Sequence, residues 1–298
     1  MKKSIIIYLS ILISVFIVLS LFDIRGEYSA EKAMWQINQK FGRITKDPDS
    51  IPEAEFKSVI KNYLAFKNKY SYSKLAPIAH LLAARVYLVK KDYVKARGVY
   101  EEIVKTYKSN PNICAQAIFE IGESYNRENN FQNMVAALKR LIKEYPLTDL
   151  GFQAPISLAE LCIKKGDLEL GQQYLNEAIF HYNALILKYK EPFVVFNAKR
   201  SAVICYMALK QWNKALDILN EILMKFPETK YLNPQRADKI ISSINMIAIT
   251  KLKNYDLPIG IYQDFVNKYP KHPYSNALEA MIKSLKLLKE KNVDLTTK

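Results

Sequence analysis

Hydrophobic and polar positions divide the chain into two regimes. Residues 4–22, SIIIYLSILISVFIVLSLF, contain no charge. Past residue 50 apolar positions recur at spacings of three, four and seven, as expected of helices that each bury one stripe. Phe131 serves as a reference: Met134, Leu138 and Leu141 follow at offsets of three, seven and ten, and Pro146 at fifteen. Tyr125 precedes it by six residues and Gly122 by nine. The frame recurs around Trp212, with Tyr206 before it and Ala215, Leu219, Ile222 and Pro227 after it. It recurs again around Tyr93 (Ala84, Tyr87, Ala96, Tyr100, Ile103) and Leu168 (Ala159, Cys162, Gly171, Leu175, Ala178). Phe56 and Tyr255 complete the series, and the six anchors are 37, 38, 37, 44 and 43 residues apart.

This frame predicts pairs of antiparallel helices. Small residues such as Gly122, Ala159 and Ala96 let the two helices of a pair approach, and a Tyr near the end of the first helix fills the gap between pairs. The proline ends the second helix, because it has no N–H to donate and disfavours an α-conformation before it. One pair cannot bury both of its faces, so pairs must stack. The expected elements are a membrane helix at 4–22, a helix near 28–42 and a loop at 43–53. Twelve helices follow, near 54–70, 75–90, 92–108, 112–127, 130–144, 150–164, 168–190, 193–209, 212–225, 234–252, 255–268 and 273–291. Seven extra residues make about two turns, so both helices of a long repeat can lengthen without losing their stripe. Pro258 is expected to open a shortened second helix. The domain reading is an anchor at 1–22, a juxtamembrane helix and linker at 23–53, and a helical array at 54–298 with a capping last helix.

A helix over 4–22 would be roughly 28 Å long, close to the ~30 Å hydrocarbon core of a bilayer. A cleavable signal usually has a shorter apolar stretch and small residues at its cleavage site, and the run here ends in Leu21-Phe22-Asp23-Ile24-Arg25. An uncleaved anchor is the leading reading; a cleaved signal and a buried core helix stay open. Lys2 and Lys3 favour a cytoplasmic N-terminus and an extracytoplasmic, periplasmic remainder.

The frame resembles the tetratricopeptide repeat, a helix-turn-helix unit with small and aromatic residues in the same order. That resemblance implies an all-α, right-handed superhelical solenoid that binds proteins and does not catalyse. Long repeats joined by loops such as Tyr145-Pro146-Leu-Thr and Phe226-Pro227-Glu-Thr are similar to the bacterial envelope repeats of BamD-type outer-membrane barrel-assembly lipoproteins. The lipid-bearing Cys of that family is missing here. An anchor followed by repeats is also similar to the repeat-bearing ancillary subunit of the Sec translocon.

Composition narrows the function. Only 8 Gly in 298 residues, without Asn-Gly or Asp-Gly turns, argue against sheet-rich folds. The net charge of +15 is spread as single or paired lysines between glutamates, so it reads as solvated helix faces and predicts no nucleic-acid partner. Cys114, Cys162 and Cys205 lie more than 40 residues apart among apolar neighbours and read as small buried hydrophobes. His80, His181 and His272 fall in different repeats without metal-ligand spacing, and His80 sits on a packing stripe. Glu101 and Glu102 point about 100° apart on a helix and read as solvated. There is no phosphate loop, dinucleotide fingerprint, nucleophile elbow or zinc-protease motif. No catalytic residue, metal or cofactor is expected.

What remains is the groove lined by the first helix of each pair. Transferred through the frame, its exposed positions are Arg85, Gln116, Phe119, Glu123, Asn126, Arg127, Gln153, Glu160, Asn197 and Arg200, with Phe119 as an aromatic anchor. Leu81 and Arg85 occupy two places of the Lys/Asn clamp with which cytosolic co-chaperones hold C-terminal carboxylates, so that role is not expected. The expected function is a membrane-anchored scaffold for envelope proteins; the alternative is a structural tether or self-associating subunit.

Overall fold

The computed structural model describes residues 10–16, 26–228 and 230–296. Its described residues form helices and no strand. The helices are α1 (Glu27–Lys46), α2 (Glu53–Lys69), α3 (Leu75–Val89), α4 (Tyr93–Thr106), α5 (Pro111–Arg127), α6 (Phe131–Glu144) and α7 (Asp149–Lys164). They continue as α8 (Leu168–Lys188), α9 (Pro192–Ala208), α10 (Trp212–Lys225), α11 (Pro234–Asn245), α12 (Asp256–Lys268) and α13 (Ser275–Thr296). The twelve expected repeat helices are all present, as α2 to α13. The expected loop at 43–53 is shorter, because α1 runs to Lys46 and Pro48–Ser50 forms a 3-10 turn.

Two compact units divide at Gly151 and Phe152. In the first, each helix from α2 to α6 packs on its chain neighbour, α1 packs on both α2 and α3, and α3 lies beside α5. Its N-terminal core joins Ala30, Met34 and Ile44 to Phe56, Tyr63, Phe66, Ala79 and Val86. In the second unit one core runs from Phe196 through Leu219, Ile222 and Ile244 to Phe265 and Leu285.

Caps and turns explain why the boundaries fall where they do. Asp92, Asn110, Asn130, Asp167 and Asn233 each accept a hydrogen bond from the backbone N–H three residues on, which satisfies a donor the new helix leaves free. Pro111, Pro192 and Pro234 occupy first-turn sites where no N–H is needed. Between the two helices of successive repeats, Lys91, Asn129, Gly166, Lys210 and Lys253 all take positive φ, between 55° and 87°. Each stands two residues before an anchor. The next N–H then reaches back five residues, from Asp92 to Tyr87, Asn130 to Tyr125, Asp167 to Cys162 and Gln211 to Tyr206. This is a left-handed C-terminal cap, reused four times with the same bond. In the fifth turn Asn254 reaches back six residues to Ala248, because Met246–Lys251 widens into a π turn.

The longer repeats lengthen in two different ways. Between Leu168 and Trp212 the second helix alone grows: α8 has 21 residues, against 14 in α4 and α6, while α9 keeps the 17 of α5. Between Trp212 and Tyr255, α10 has only 14 residues, and length goes into the connection 226–233 and the π turn. Phe226 and Tyr231 of that connection stand 5.5 Å from Phe196 and 5.6 Å from each other.

Other expectations need correction. Tyr125 and Tyr206 are only half-buried. A cation covers each ring: the Arg97 guanidinium is 4.2 Å from the Tyr125 centroid and Lys214 Nζ is 5.7 Å from that of Tyr206. These tyrosines sit where their carbonyls close the left-handed cap. The close approach expected at Gly122 is ordinary, since a methyl there would meet Ala137 Cβ at 3.5 Å. The tight glycines are Gly151, where a methyl would strike the Tyr145 carbonyl, and Gly171, where it would come 3.3 Å from the Ala159 oxygen. Pro258 lies buried in the first turn of α12, after Asp256 and Leu257.

Among the described residues no helix is long and apolar enough to cross a membrane. Of the expected span 4–22, residues 10–16 are helical, with Ile11, Leu12, Ile13, Val15 and Phe16 exposed; the rest lies outside the described residues. Cys114, Cys162 and Cys205 are buried free thiols, as expected. Burial pushes the Cys205 thiol up to about 12.

Candidate protein-binding site

Six of the ten expected residues belong to the first unit. Arg85 projects exposed from α3, and Gln116, Phe119, Glu123, Asn126 and Arg127 lie along α5. Arg127 is exposed, whereas Gln116, Phe119, Glu123 and Asn126 are half-buried. Phe119 is therefore a half-buried aromatic and not the exposed anchor the frame suggested. One residue not among the expected ten joins this surface. Glu120 accepts a hydrogen bond from Gln116 Nε2 at 3.2 Å, an i,i+4 pair on α5. Burial raises the Glu120 pKa; Arg85 and Arg127 oppose that shift and Glu123 adds to it, so these four charges share one field. Beside them is Tyr100 of α4, 1% exposed, whose hydroxyl has no hydrogen-bond partner among the described residues. Burial, reinforced by Glu120, raises its pKa.

The other four residues belong to the second unit. Gln153 and Glu160 are exposed on α7, and Asn197 and Arg200 are half-buried on α9. Asn197 Nδ2 donates to the Phe193 carbonyl at 3.0 Å, so its amide is partly committed to its own helix. The Arg200 guanidinium is 5.6 Å from the Phe196 centroid, and that of Arg236 is 5.7 Å from the same ring. Arg236 donates to the carbonyls of Lys230 and Tyr231 at 3.2 and 3.4 Å. Among the described residues neither arginine has a carboxylate within ion-pair distance. Burial, together with the Arg236 charge, lowers the Arg200 pKa.

The repeat frame did not single out Glu120, although its i,i+4 spacing from Gln116 was the available signal. Arg236 was missed because it lies in the first turn of α11. Its signal was Asn233-Pro234, a cap and first-turn proline that fix where the residue falls. No group of His, Cys, Asp and Glu that could hold a metal occurs among the described residues.

The family model for the tetratricopeptide repeat matches residues 116–148 and 202–229. Over these two segments the chain matches the tetratricopeptide repeat. The first match covers most of α5 and all of α6, including Gln116, Phe119, Glu123, Asn126 and Arg127; the second holds the end of α9, α10 and the start of the 226–233 connection. No curated protein matches the sequence. Among solved structures the chain is similar to BtubC (BKLC) from P. vanneervenii, at 12% identity over 89% of this chain and 92% of that one, TM-score 0.39. It is similar to the TPR2AB domain of yeast Sti1 in a pHSP90 complex, at 13% identity over 88% and 100%, TM-score 0.33. A tetratricopeptide repeat protein from Parabacteroides merdae matches at 12% identity over 88% and 100%, TM-score 0.34. Tetratricopeptide repeats generally mediate protein–protein interactions, and proteins of this fold are typically non-enzymatic scaffolds.

Proposed function

We propose that this chain is a membrane-anchored scaffold of the cell envelope and that the α3–α5 surface captures a segment of a partner protein. The observation that carries this reading is the shared field of Arg85, Glu120, Glu123 and Arg127 beside half-buried Phe119. Opposite charges at one surface orient a segment bearing both signs, while an aromatic side chain supplies apolar contact. The uncharged run at 4–22 supports the anchor.

The test is photo-crosslinking from membranes followed by capture of the partner with wild-type and variant chains. Phe119→Ala combined with Arg127→Glu should weaken capture roughly tenfold or more, as loss of central contacts does, with the helical circular dichroism unchanged. Lys139→Glu with Lys143→Glu, exposed on α6, should leave capture intact. If the α6 pair abolishes capture and the α5 pair does not, the partner binds elsewhere.

A second reading has its own observation. Phe180 and Leu187 of α8 are exposed at 77% and 73%, seven residues apart on one helix face. A self-associating tether would use that stripe. On this reading, sedimentation at falling concentration shows a declining mass, and Phe180→Ser with Leu187→Ser gives a constant monomer. A constant monomer in the parent chain would remove the tether.

A further inference from the structure

Helix α1 carries two features that the scaffold reading does not use. Tyr28, Lys32, Trp35, Gln39 and Lys46 recur at offsets of 4, 7, 11 and 18 along one face, and all are exposed. That face holds two aromatics, with Glu31 at its border four residues before Trp35. Glu27 is turned aside to accept from Ser73 Oγ at 2.8 Å, and Glu31 falls about 60° round the helix from Tyr28. Beside this face, α1 and α2 bound a groove of about 750 Å³. Lys40 and Arg43 line it from α1, Lys69 and Tyr70 from α2, and Trp35 stands at its rim; no acidic residue lines it. Among the described residues Lys40, Arg43 and Lys69 form no ion pair. Lys69 Nζ instead lies 5.2 Å from the Tyr70 ring centroid.

Elsewhere in the first unit some cations have carboxylate partners: Lys90 with Glu53, Lys91 with Asp49, Arg97 with Glu128 and Arg140 with Glu101. Here three cations without such partners line a single groove that no carboxylate enters. Such a site attracts anions, and Tyr and Trp rings partition to the boundary between headgroups and acyl chains. Chain length then selects the source of the anion. Only residues 23–26 separate the end of the uncharged run from α1, a tether of at most about 14 Å, which holds α1 within reach of the headgroup layer.

We infer that α1 lies on the membrane surface, with Tyr28 and Trp35 at the interface and the phosphate of anionic phospholipids held by Lys40, Arg43 and Lys69. The inference rests on the reading of 4–22 as an anchor. A helix in this position behaves as an interfacial helix whose binding rises with anionic lipid.

The chain has two tryptophans, so Trp212→Phe leaves Trp35 as the sole reporter. The full-length variant is reconstituted into vesicles of phosphatidylcholine or of equal parts phosphatidylcholine and phosphatidylglycerol. Both contain a trace of nitroxide-headgroup lipid. Trp35 should be quenched roughly twofold more in the mixed vesicles, and Lys40→Glu, Arg43→Glu and Lys69→Glu together should abolish the difference. Chains that float with the vesicles but show unquenched Trp35, equal quenching in both lipids, or no response to the triple variant overturn the inference and leave the anchor intact. Chains that do not float overturn both; if Trp35 is then also shielded from a soluble quencher, the groove is covered by protein.

Discussion

Leu219→Ala should lower the stability of the second unit by about 2–5 kcal/mol, the range for removing a buried leucine side chain without full collapse of the cavity. Leu219 is 4% exposed, in the core that joins Ala215, Ile222, Phe226, Ile240 and Phe265. Its neighbours come from three successive helices and the connection between two of them, so no single shift can refill the space. Urea unfolding followed by far-ultraviolet circular dichroism measures the effect. Phe180→Ala, on an exposed face of α8, should change stability by no more than about 0.5 kcal/mol. A Leu219→Ala loss below that same figure would mean that the repeat frame has placed the core wrongly.

Acid should destabilise the first unit from about pH 6.5 downward, and His80 is the reason. The ring is 1% exposed on α3, and its Nδ1 has no hydrogen-bond partner among the described residues. Nε2 lies 3.6 Å from Glu102 of α4, Lys67 of α2 lies 3.8 Å from the same carboxylate, and Tyr107 meets the ring edge-on at 5.9 Å. Burial, aided by Lys67 and opposed by Glu102, lowers the His80 pKa to about 4. The unfolded chain takes a proton near pH 6.5 that the native ring refuses. Stability is therefore full above about pH 6.5 and falls until about pH 4, by about 3 kcal/mol for the whole shift. His181 in the second unit also has a pKa lowered by burial and contributes in the same direction. His80→Leu should flatten much of the slope of stability between pH 6.5 and 4 and leave the His181 share. An unchanged slope in that variant would show that His80 is not the group responsible.

Helix positions were legible in the sequence because stripes and prolines point to the same boundaries. The second helix of each pair, with its offsets of three, seven and ten, was the easiest to place. The left-handed turn residues were not legible. Four of the five are Lys or Asn, and their conformation is imposed by the following N–H that must reach back five or six residues, not by their own preference for it. The π turn at Met246–Lys251 was hidden because Ile247 and Ala248 keep an apolar stripe whether the turn holds four residues or five. The surface was read less well than the core. Spacing identifies which residues face away from packing, but it does not tell that Glu120 is drawn into the field of Arg85 and Arg127. It also cannot foresee that Arg200 and Arg236 share the Phe196 ring, since that pairing depends on how the 226–233 connection folds.

The three buried thiols give the chain a chemically silent background. Cys114 and Cys205 have no exposed surface and Cys162 has 1%. A thiol-directed dye or spin label added to the native protein should pass them by. A single cysteine introduced at Gln36 or Arg127 would then be the one reactive handle, with no native cysteine removed first. Either α1 or the α5 surface could be watched by its own label in an otherwise unaltered chain.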